Sequence, residues 1–163
     1  MLPTIQPGDY IILNKLAYKF GDPQRGDIII FYSSRHHEDL IKRIIAIPGD
    51  KVEVKSGKVF VNDVPLDEPY ILEQPKYTVF EQVIPDDNYF VLGDDRNNSD
   101  DSHNGWLVPH EAIIGKAWII YWPPDRWRII QSFSSYQTES SNINGEFLHP
   151  GKCSASLQPI FQN

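Results

Sequence analysis

The apolar residues of this chain come in short runs, and this grouping constrains its fold more than any other feature. The runs are rich in Ile, Val, Phe and Tyr and are bounded by Gly, Asp, Pro and Asn, a pattern typical of strands joined by turns. The valines that alternate on both sides of Ser56 and Gly57 indicate a tight hairpin. We predict strands over residues 10–14, 27–32, 39–46, 51–55, 58–61, 89–92 and 113–122, and therefore a mostly β, antiparallel fold with coiled or partly closed sheets.

Two stretches depart from the strand pattern. Residues 63–82 contain several prolines and acidic residues without a regular period, which indicates a long excursion between strands, and such excursions often border a binding site. After Trp127 the composition shifts to Ser, Gln, Asn and Gly, with too few apolar residues to offset the entropy of ordering. We predict one domain over residues 1–127, with the excursion at 63–82, followed by a disordered tail over 128–163.

Charge and cysteine content argue against several classes of function. The chain has 15 Lys and Arg against 22 Asp and Glu, a net charge of -7, so no basic stripe is available for nucleic acid. The single cysteine, Cys153, can form neither an internal disulfide nor, without a second soft ligand, a thiolate metal site. No run approaches the roughly 18 apolar residues that a membrane-spanning helix needs. We therefore expect no nucleic-acid partner, no metal and no organic cofactor.

Residues 41–50 place two adjacent cations, Lys42 and Arg43, inside an apolar strand. Neighbouring side chains of a strand point to opposite faces, so at least one of the two is a candidate for burial. Burial disfavours the charged form of a lysine and can lower its pKa from ~10.4 to ~7–8, which makes it a usable general base. The alternative is a lysine on an edge strand that discourages aggregation.

Residues 93–103 follow a predicted strand and concentrate hydroxyl, amide and carboxylate groups on short side chains. Such groups are suited to orienting a buried cation. The acidic residues also suggest a calcium loop, but an EF-hand requires Gly at the sixth position and Glu at the twelfth, and this segment has neither. We interpret the segment as a polar network around a catalytic group.

Segments 1–9, 25–31, 41–50 and 93–103, in this order, resemble the signature boxes of type I signal peptidases, a family of Ser/Lys peptidases. The resemblance spans about residues 1–122. Its most specific part is Lys-Arg-x-x-x-x-Pro-Gly-Asp followed by Gly-Asp-x-Arg-x-Asn-Ser-x-Asp-Ser. It implies a hydrolase of the signal peptidase fold, a serine-type endopeptidase that removes N-terminal signal peptides from secreted preproteins at Ala-x-Ala-like sites.

The resemblance also implies roles for individual residues. Lys42 matches the general base of the family, and Ser99 matches the serine that orients this lysine through a hydrogen bond. Arg43 and Asp101 match an ion pair that holds the last loop against the lysine strand. Asp94 and Arg96 are expected to give the same structural support.

The nucleophile is where the chain departs from the family pattern. In the family it is the serine immediately before the methionine that matches Met1, so we expect this chain to be a fragment that is inactive as it stands. His103 occupies a position where arginine is common, which weakens the ion-pair cluster or makes it sensitive to pH. Four other serines are not expected to replace the nucleophile: Ser33, Ser34, Ser99 and Ser102.

The resemblance further implies partners and a location. The partners are preproteins that carry signal peptides, bound in extended form along an exposed strand, and a membrane surface to which an N-terminal helix anchors the full-length protein. The catalytic domain is expected on the outer face of the cytoplasmic membrane. Two alternatives stay open, a non-catalytic homologue that binds leader peptides and a soluble, self-cleaving Ser/Lys regulator.

Overall fold

The computed structural model describes residues 1–133, which form two antiparallel sheets. Short 3-10 helices cover Ser102–Asn104, His110–Ala112 and Pro124–Arg126. The strands, numbered in chain order, are β1 (Tyr10–Asn14), β2 (Ile28–Ser33), β3 (Glu38–Ala46), β4 (Lys51–Lys55), β5 (Lys58–Val61), β6 (Val64–Pro65), β7 (Val79–Val83), β8 (Asn88–Leu92), β9 (Val108–Pro109), β10 (Ile113–Trp122) and β11 (Arg128–Ile129). The predicted mostly β, antiparallel fold is confirmed, and neither sheet closes on itself.

The larger sheet carries the segments that the sequence analysis singled out. Its strand order is β1-β10-β2-β3-β8-β9, with β11 paired to β10. β3 pairs with β2 from Glu38 to Arg43, whereas β8 pairs with β3 only from Arg43 to Ala46. Within the described structure, residues 38–42 therefore have one open edge, and Lys42 lies at the point where that edge ends.

The smaller sheet has the order β6-β5-β4-β7 and packs its valines into a core. Val52, Val54, Val59 and Val61 are each 0% exposed, as expected for strands whose alternate side chains face one side. Ser56 and Gly57 form the turn between β4 and β5 with φ values of 49° and 75°. The predicted hairpin at this position is confirmed.

The excursion predicted over residues 63–82 contains two strands. β6 pairs with β5, and β7 pairs with β4. Because only Val79 of the five β7 residues is buried, the strand lacks the alternation by which a strand is recognised in sequence. Between β6 and β7 the chain turns back to the larger sheet, where Tyr70 is 6% exposed.

Strand pairing and core packing extend past Trp127, where the sequence analysis ended the domain. Arg128 and Ile129 form β11 on β10. Ile130 is 6% exposed and belongs to a core cluster with Ile5 and Ile28. The predicted start of the tail at residue 128 is therefore too early, and the rest of that tail, with Cys153, lies outside the described residues. Among residues 1–133, no helix is long and apolar enough to cross a membrane.

Candidate functional site

Lys42 and Ser99 meet at the end of the open edge of β3. The Lys42 Nζ donates a hydrogen bond of 2.8 Å to the Ser99 Oγ. Lys42 is held in place by pairing with Ile29 of β2, and Ser99 lies in the loop that follows β8. Both side chains are half-buried. The structure thus brings together the two residues to which the sequence analysis assigned the chemistry.

The surroundings of Lys42 favour its neutral form. Burial lowers the pKa of Lys42 below its ordinary value, and the carboxylates of Asp101 and Asp100 oppose this shift to a smaller extent. Removing an ammonium group from water is costly, so the neutral amine gains relative to the charged one. A neutral lysine amine next to a hydroxyl is able to accept a proton, as a general base must.

Gly93 provides the space that Ser99 occupies. A Cβ atom at position 93 would lie 2.3 Å from the Ser99 Oγ and 2.8 Å from its Cβ, far inside contact distance. The backbone N–H of Gly93 also donates to the Asp101 Oδ2 at 2.9 Å. The approach of Ser99 to Lys42 therefore depends on a glycine at the end of β8, which the sequence motif contains without revealing why.

Arg43 points to the opposite face of β3 and is 0% exposed. Its guanidinium donates to Asp94 through Nε at 2.9 Å and Nη2 at 2.7 Å, and to the Gly26 carbonyl through Nη1 at 3.0 Å. The Tyr70 ring lies 3.9 Å from the guanidinium carbon. The expected ion pair between Arg43 and Asp101 is wrong, because the Nε and Nη2 donors of Arg43 are both taken by Asp94 and Nη1 is taken by Gly26.

Asp101 organises the loop itself. Besides Gly93, it accepts a hydrogen bond from the His103 backbone N–H at 3.2 Å and lies 2.7 Å from the His103 Nδ1. It thereby caps the first 3-10 helix, while Ser102 accepts a bond of 3.0 Å from the Val91 N–H. His103, which stacks on Tyr77, is the side chain that pairs with Asp101 in place of Arg43.

The excursion contributes two residues that the sequence analysis did not identify. Glu68 pairs with both terminal nitrogens of the fully buried Arg96, whose Nε donates to the Gly93 carbonyl at 3.0 Å. Tyr70 donates to Glu68 at 2.9 Å and covers Arg43. A buried arginine needs an acidic partner, but the sequence does not show that Arg96 is buried or which carboxylate pairs with it.

The first residues of the chain lie against the same site. Thr4 donates a hydrogen bond to Asp94, the partner of Arg43. The pKa of the Met1 amino group is lowered, first by burial and then by the positive charge of Lys42. The Met1 side chain packs against the core cluster that contains Ile28. The charge of Lys42 therefore acts on the Met1 amino group.

In the described part of the chain, Ser33, Ser34 and Ser102 make no hydrogen bond to Lys42. Ser33 bonds to His36 at 2.8 Å, Ser102 bonds to Val91, and Ser34 is exposed. Within residues 1–133, no group of three or more His, Cys, Asp or Glu side chains is arranged to hold a metal ion.

The segments that build this site fall inside one family match. The family described as signal peptidase, peptidase S26, matches residues 1–122 of the chain. The chain belongs to this signal peptidase family. The matched region includes the N-terminal segment, the open edge of β3 and the loop of Ser99.

Relatives within the family are similar over most of the described residues. A probable signal peptidase I-2 from Synechocystis sp. is 45% identical over 132 residues, covering 77% of the chain and 61% of that protein. A signal peptidase I from Leptolyngbya laminosa is 42% identical over 134 residues, covering 77% of the chain and 66% of that protein. The chain thus spans less than two thirds of the length of these two signal peptidases.

A solved structure shares the fold. The crystal structure of a signal peptidase I from Enterococcus faecalis V583 superimposes with a TM-score of 0.54 at 32% identity. The match covers 59% of the chain and 97% of the crystallised protein. The signal peptidase fold expected from the sequence is confirmed.

Proposed function

We propose that this protein is a serine-type endopeptidase that removes signal peptides from secreted preproteins at Ala-x-Ala-like sites, with Lys42 as its general base. The observation that carries the proposal is the hydrogen bond of 2.8 Å from Lys42 to Ser99, made by a half-buried lysine whose pKa is lowered. Burial and orientation together are what a lysine needs in order to replace the histidine and carboxylate of a catalytic triad.

The nucleophile in this proposal is a serine joined to the amino group of Met1. Neutral Lys42 takes the proton from its hydroxyl while the oxygen attacks the scissile carbonyl carbon, and the proton then passes to the leaving amine as the peptide bond breaks. Water subsequently attacks the acyl-enzyme and gives its proton to Lys42, which returns a proton to the serine oxygen as the ester bond breaks and the carboxyl product leaves. The support for this position is the Met1 amino group, whose pKa responds to the charge of Lys42.

The roles of the surrounding residues follow from their contacts. Ser99 directs the Lys42 amine, while Arg43, Asp94, Arg96 and Asp101 support the loop and the strand that carry these two side chains. None of these four supporting residues hydrogen-bonds to Lys42 in the described structure. We therefore assign them to structural support of the site.

The substrate segment is proposed to lie extended beside residues 38–42. Only β2 pairs with this part of β3 among the described strands, so backbone groups on its other side are available to a peptide. Added strands of this kind bind through main-chain hydrogen bonds, and side-chain pockets supply specificity. An extended leader peptide bound there would run toward Lys42, at the end of the open edge.

A membrane surface is the second proposed partner, with the domain on the outer face of the cytoplasmic membrane. Large aromatic side chains are exposed along β10 and the segment after it, including Trp118 at 48%, Trp122 at 52% and Trp127 at 72%. Tryptophan is enriched where protein meets the interface of a bilayer. These aromatic side chains are the proposed contact of the domain with the membrane surface, and this contact does not depend on basic residues.

Cleavage of a synthetic leader peptide with an Ala-x-Ala site tests the proposal. We would add Ser and a short upstream stretch before Met1 and compare this extended protein with the chain that starts at Met1. The extended protein would also be made with Lys42→Ala and, as a control on the exposed hairpin, with Lys58→Ala. The expected result is cleavage by the extended protein and the Lys58→Ala control alone. If all versions bind the peptide and none cleaves it, the proposal fails and a peptide-binding homologue is the better description.

A further inference from the structure

His36 connects two parts of the chain that are far apart in sequence. It lies in the turn between β2 and β3, where its Nδ1 is 2.8 Å from the Ser33 Oγ. Its Nε2 is 2.6 Å from the Asp100 Oδ2, in the loop that follows β8. Because Asp100 directly follows Ser99, His36 ties the β2–β3 turn to the residue that orients Lys42.

The three residue types are those of a hydrolytic triad, but their arrangement does not suit catalysis. Ser33 is 7% exposed, so its hydroxyl is not accessible to a peptide. Its Oγ also accepts a hydrogen bond of 3.4 Å from the His36 backbone N–H. A nucleophile needs an accessible oxygen with oxyanion donors beyond it, whereas this oxygen faces the turn. The contacts of His36 indicate a mechanical role.

Asp100 is the point at which several elements hold the loop. In addition to His36, it accepts hydrogen bonds from the Asn104 side chain at 2.7 Å and the Trp106 indole at 3.3 Å. The bond from Asn104, followed by those from His36 and Trp106, lowers the pKa of Asp100 to about 2. Asn104 and Trp106 lie in the same connection as Asp100, so His36 is the partner that fixes this connection to the β2–β3 hairpin.

We propose that His36 is a positioning residue that holds Asp100 through a hydrogen bond and thereby maintains the hydrogen bond between Ser99 and Lys42. Asp100 and Ser99 are adjacent, so freeing the Asp100 side chain frees the backbone that carries the Ser99 hydroxyl. The inference rests on the proposed function for the role of Lys42 as a base. The contact itself exists independently of whether the protein cleaves a peptide.

The contacts of His36 are suited to both of its protonation states. The groups that face the ring are the Asp100 carboxylate, the Ser33 hydroxyl and the Trp106 ring, whose centroid is 6.3 Å away. With Nε2 protonated toward Asp100, a neutral Nδ1 accepts from the Ser33 hydroxyl, and a protonated Nδ1 donates to the same oxygen. The contact between His36 and Asp100 is therefore compatible with both forms of the imidazole.

The pKa of Lys42, measured in the chain as given, tests the inference without any need for cleavage. We would follow the side-chain signals of ¹³C-labelled lysines by NMR over a pH titration and assign Lys42 by its loss in Lys42→Arg. In His36→Phe, the ring still packs on Trp106 but the bond to Asp100 is gone. A looser loop admits water to Lys42. Because burial is the main cause of the lowered pKa of Lys42, this hydration moves the pKa back toward its ordinary value. We expect the pKa to rise by on the order of half a unit, well short of the 3–5 units that full burial produces.

Matched variants separate positioning from folding. His36→Gln keeps an N–H donor for Asp100 and is expected to retain the lowered pKa of Lys42. His110→Phe, which removes a half-buried histidine bonded to Tyr89, serves as the control and is expected to change nothing at Lys42. Ser33→Ala removes the second contact of His36 and is expected to give a smaller rise than His36→Phe.

Two results would overturn the inference. One is a pKa of Lys42 in folded His36→Phe that does not rise, and the other is an equal rise in His36→Gln. If His36→Phe does not fold, the comparison of Ser33→Ala with the control decides, because Ser33→Ala must then raise the pKa of Lys42. A failed cleavage assay would count against the proposed function alone, since this titration requires no substrate.

Discussion

Both carboxylate oxygens of Asp94 accept hydrogen bonds from Arg43, at 2.9 and 2.7 Å, and neither side chain is exposed to solvent. The residue before Arg43 is Lys42, which points to the other face of β3. The strand therefore carries a buried, paired cation on one side and a half-buried amine on the other.

Asp94→Ala is expected to destabilise the protein strongly, because it leaves the Arg43 guanidinium buried without its partner. Breaking one side of a buried ion pair typically costs about 3–5 kcal/mol. The measurement is the free energy of unfolding from urea titration. Asp67→Ala, at an exposed position, is the control and is expected to change this free energy by less than about 0.5 kcal/mol. A small effect at Asp94 would contradict the bidentate pair.

Gly93→Ala is expected to displace Ser99, since the added methyl group would lie 2.3 Å from the Ser99 Oγ. In the protein extended by Ser before Met1, we expect cleavage of the leader peptide to fall by about 10²-fold or more, the range that misplacement of a catalytic group produces. Gly21→Ala, where nothing lies within 4 Å of the new methyl group, is the control. Equal rates for the two variants would rule out the steric role of Gly93.

The lowered pKa of Lys42 predicts how stability depends on pH. The unfolded chain binds its lysine proton up to about pH 10.4, whereas the folded chain releases it earlier, so the unfolded state holds more protons between these two pKa values. The stability penalty of burying Lys42 is therefore fully present below its folded pKa and fades as the pH rises toward 10.4. Lys42→Met is expected to be more stable than the parent at neutral pH, by a margin that narrows in this window. A margin independent of pH in urea titrations would contradict the shift.

Glu68→Ala is expected to destabilise the protein because Arg96, which is fully buried, loses its carboxylate partner. The expected loss is again about 3–5 kcal/mol in the free energy of unfolding. Combining it with Arg96→Met should restore part of this loss, since the buried charge is then gone. If the double variant is less stable than Glu68→Ala by the full cost of a second core substitution, the pairing does not hold.

The strand pattern of the sequence predicted most of the larger sheet because apolar alternation and turn residues mark its strands directly. The bounds of β1, β4, β5 and β10 match the prediction, those of β3 and β8 start one residue earlier, and β2 is shifted by one residue at both ends. β7 was missed because its side chains are mostly exposed. Its place in the sheet comes from backbone pairing with β4, which leaves little trace in the sequence.

The candidate site, like the fold, was predicted only in part from the sequence. The sequence motif placed Lys42 and Ser99 in one site, but it assigned Asp101 to Arg43, whereas the structure pairs Arg43 with Asp94. Asp94 and Asp101 lie seven positions apart in a loop rich in acidic residues, and only the three-dimensional path of the loop selects between them. Glu68 was not predicted as a partner of Arg96 for a related reason. Nothing in an excursion without a regular period indicates which of its side chains turns inward.

The opposite orientation of Lys42 and Arg43 has a consequence for how the protein reaches its native state. A strand that slips by one residue turns every side chain to the other face. For β3, such a slip would send the lysine amine toward Asp94 and expose the arginine where the amine belongs, so the ion pair with Asp94 and the contact of Lys42 with Ser99 would be lost together. The buried pair that stabilises the correct register of this sheet therefore also selects the register in which Lys42 meets Ser99.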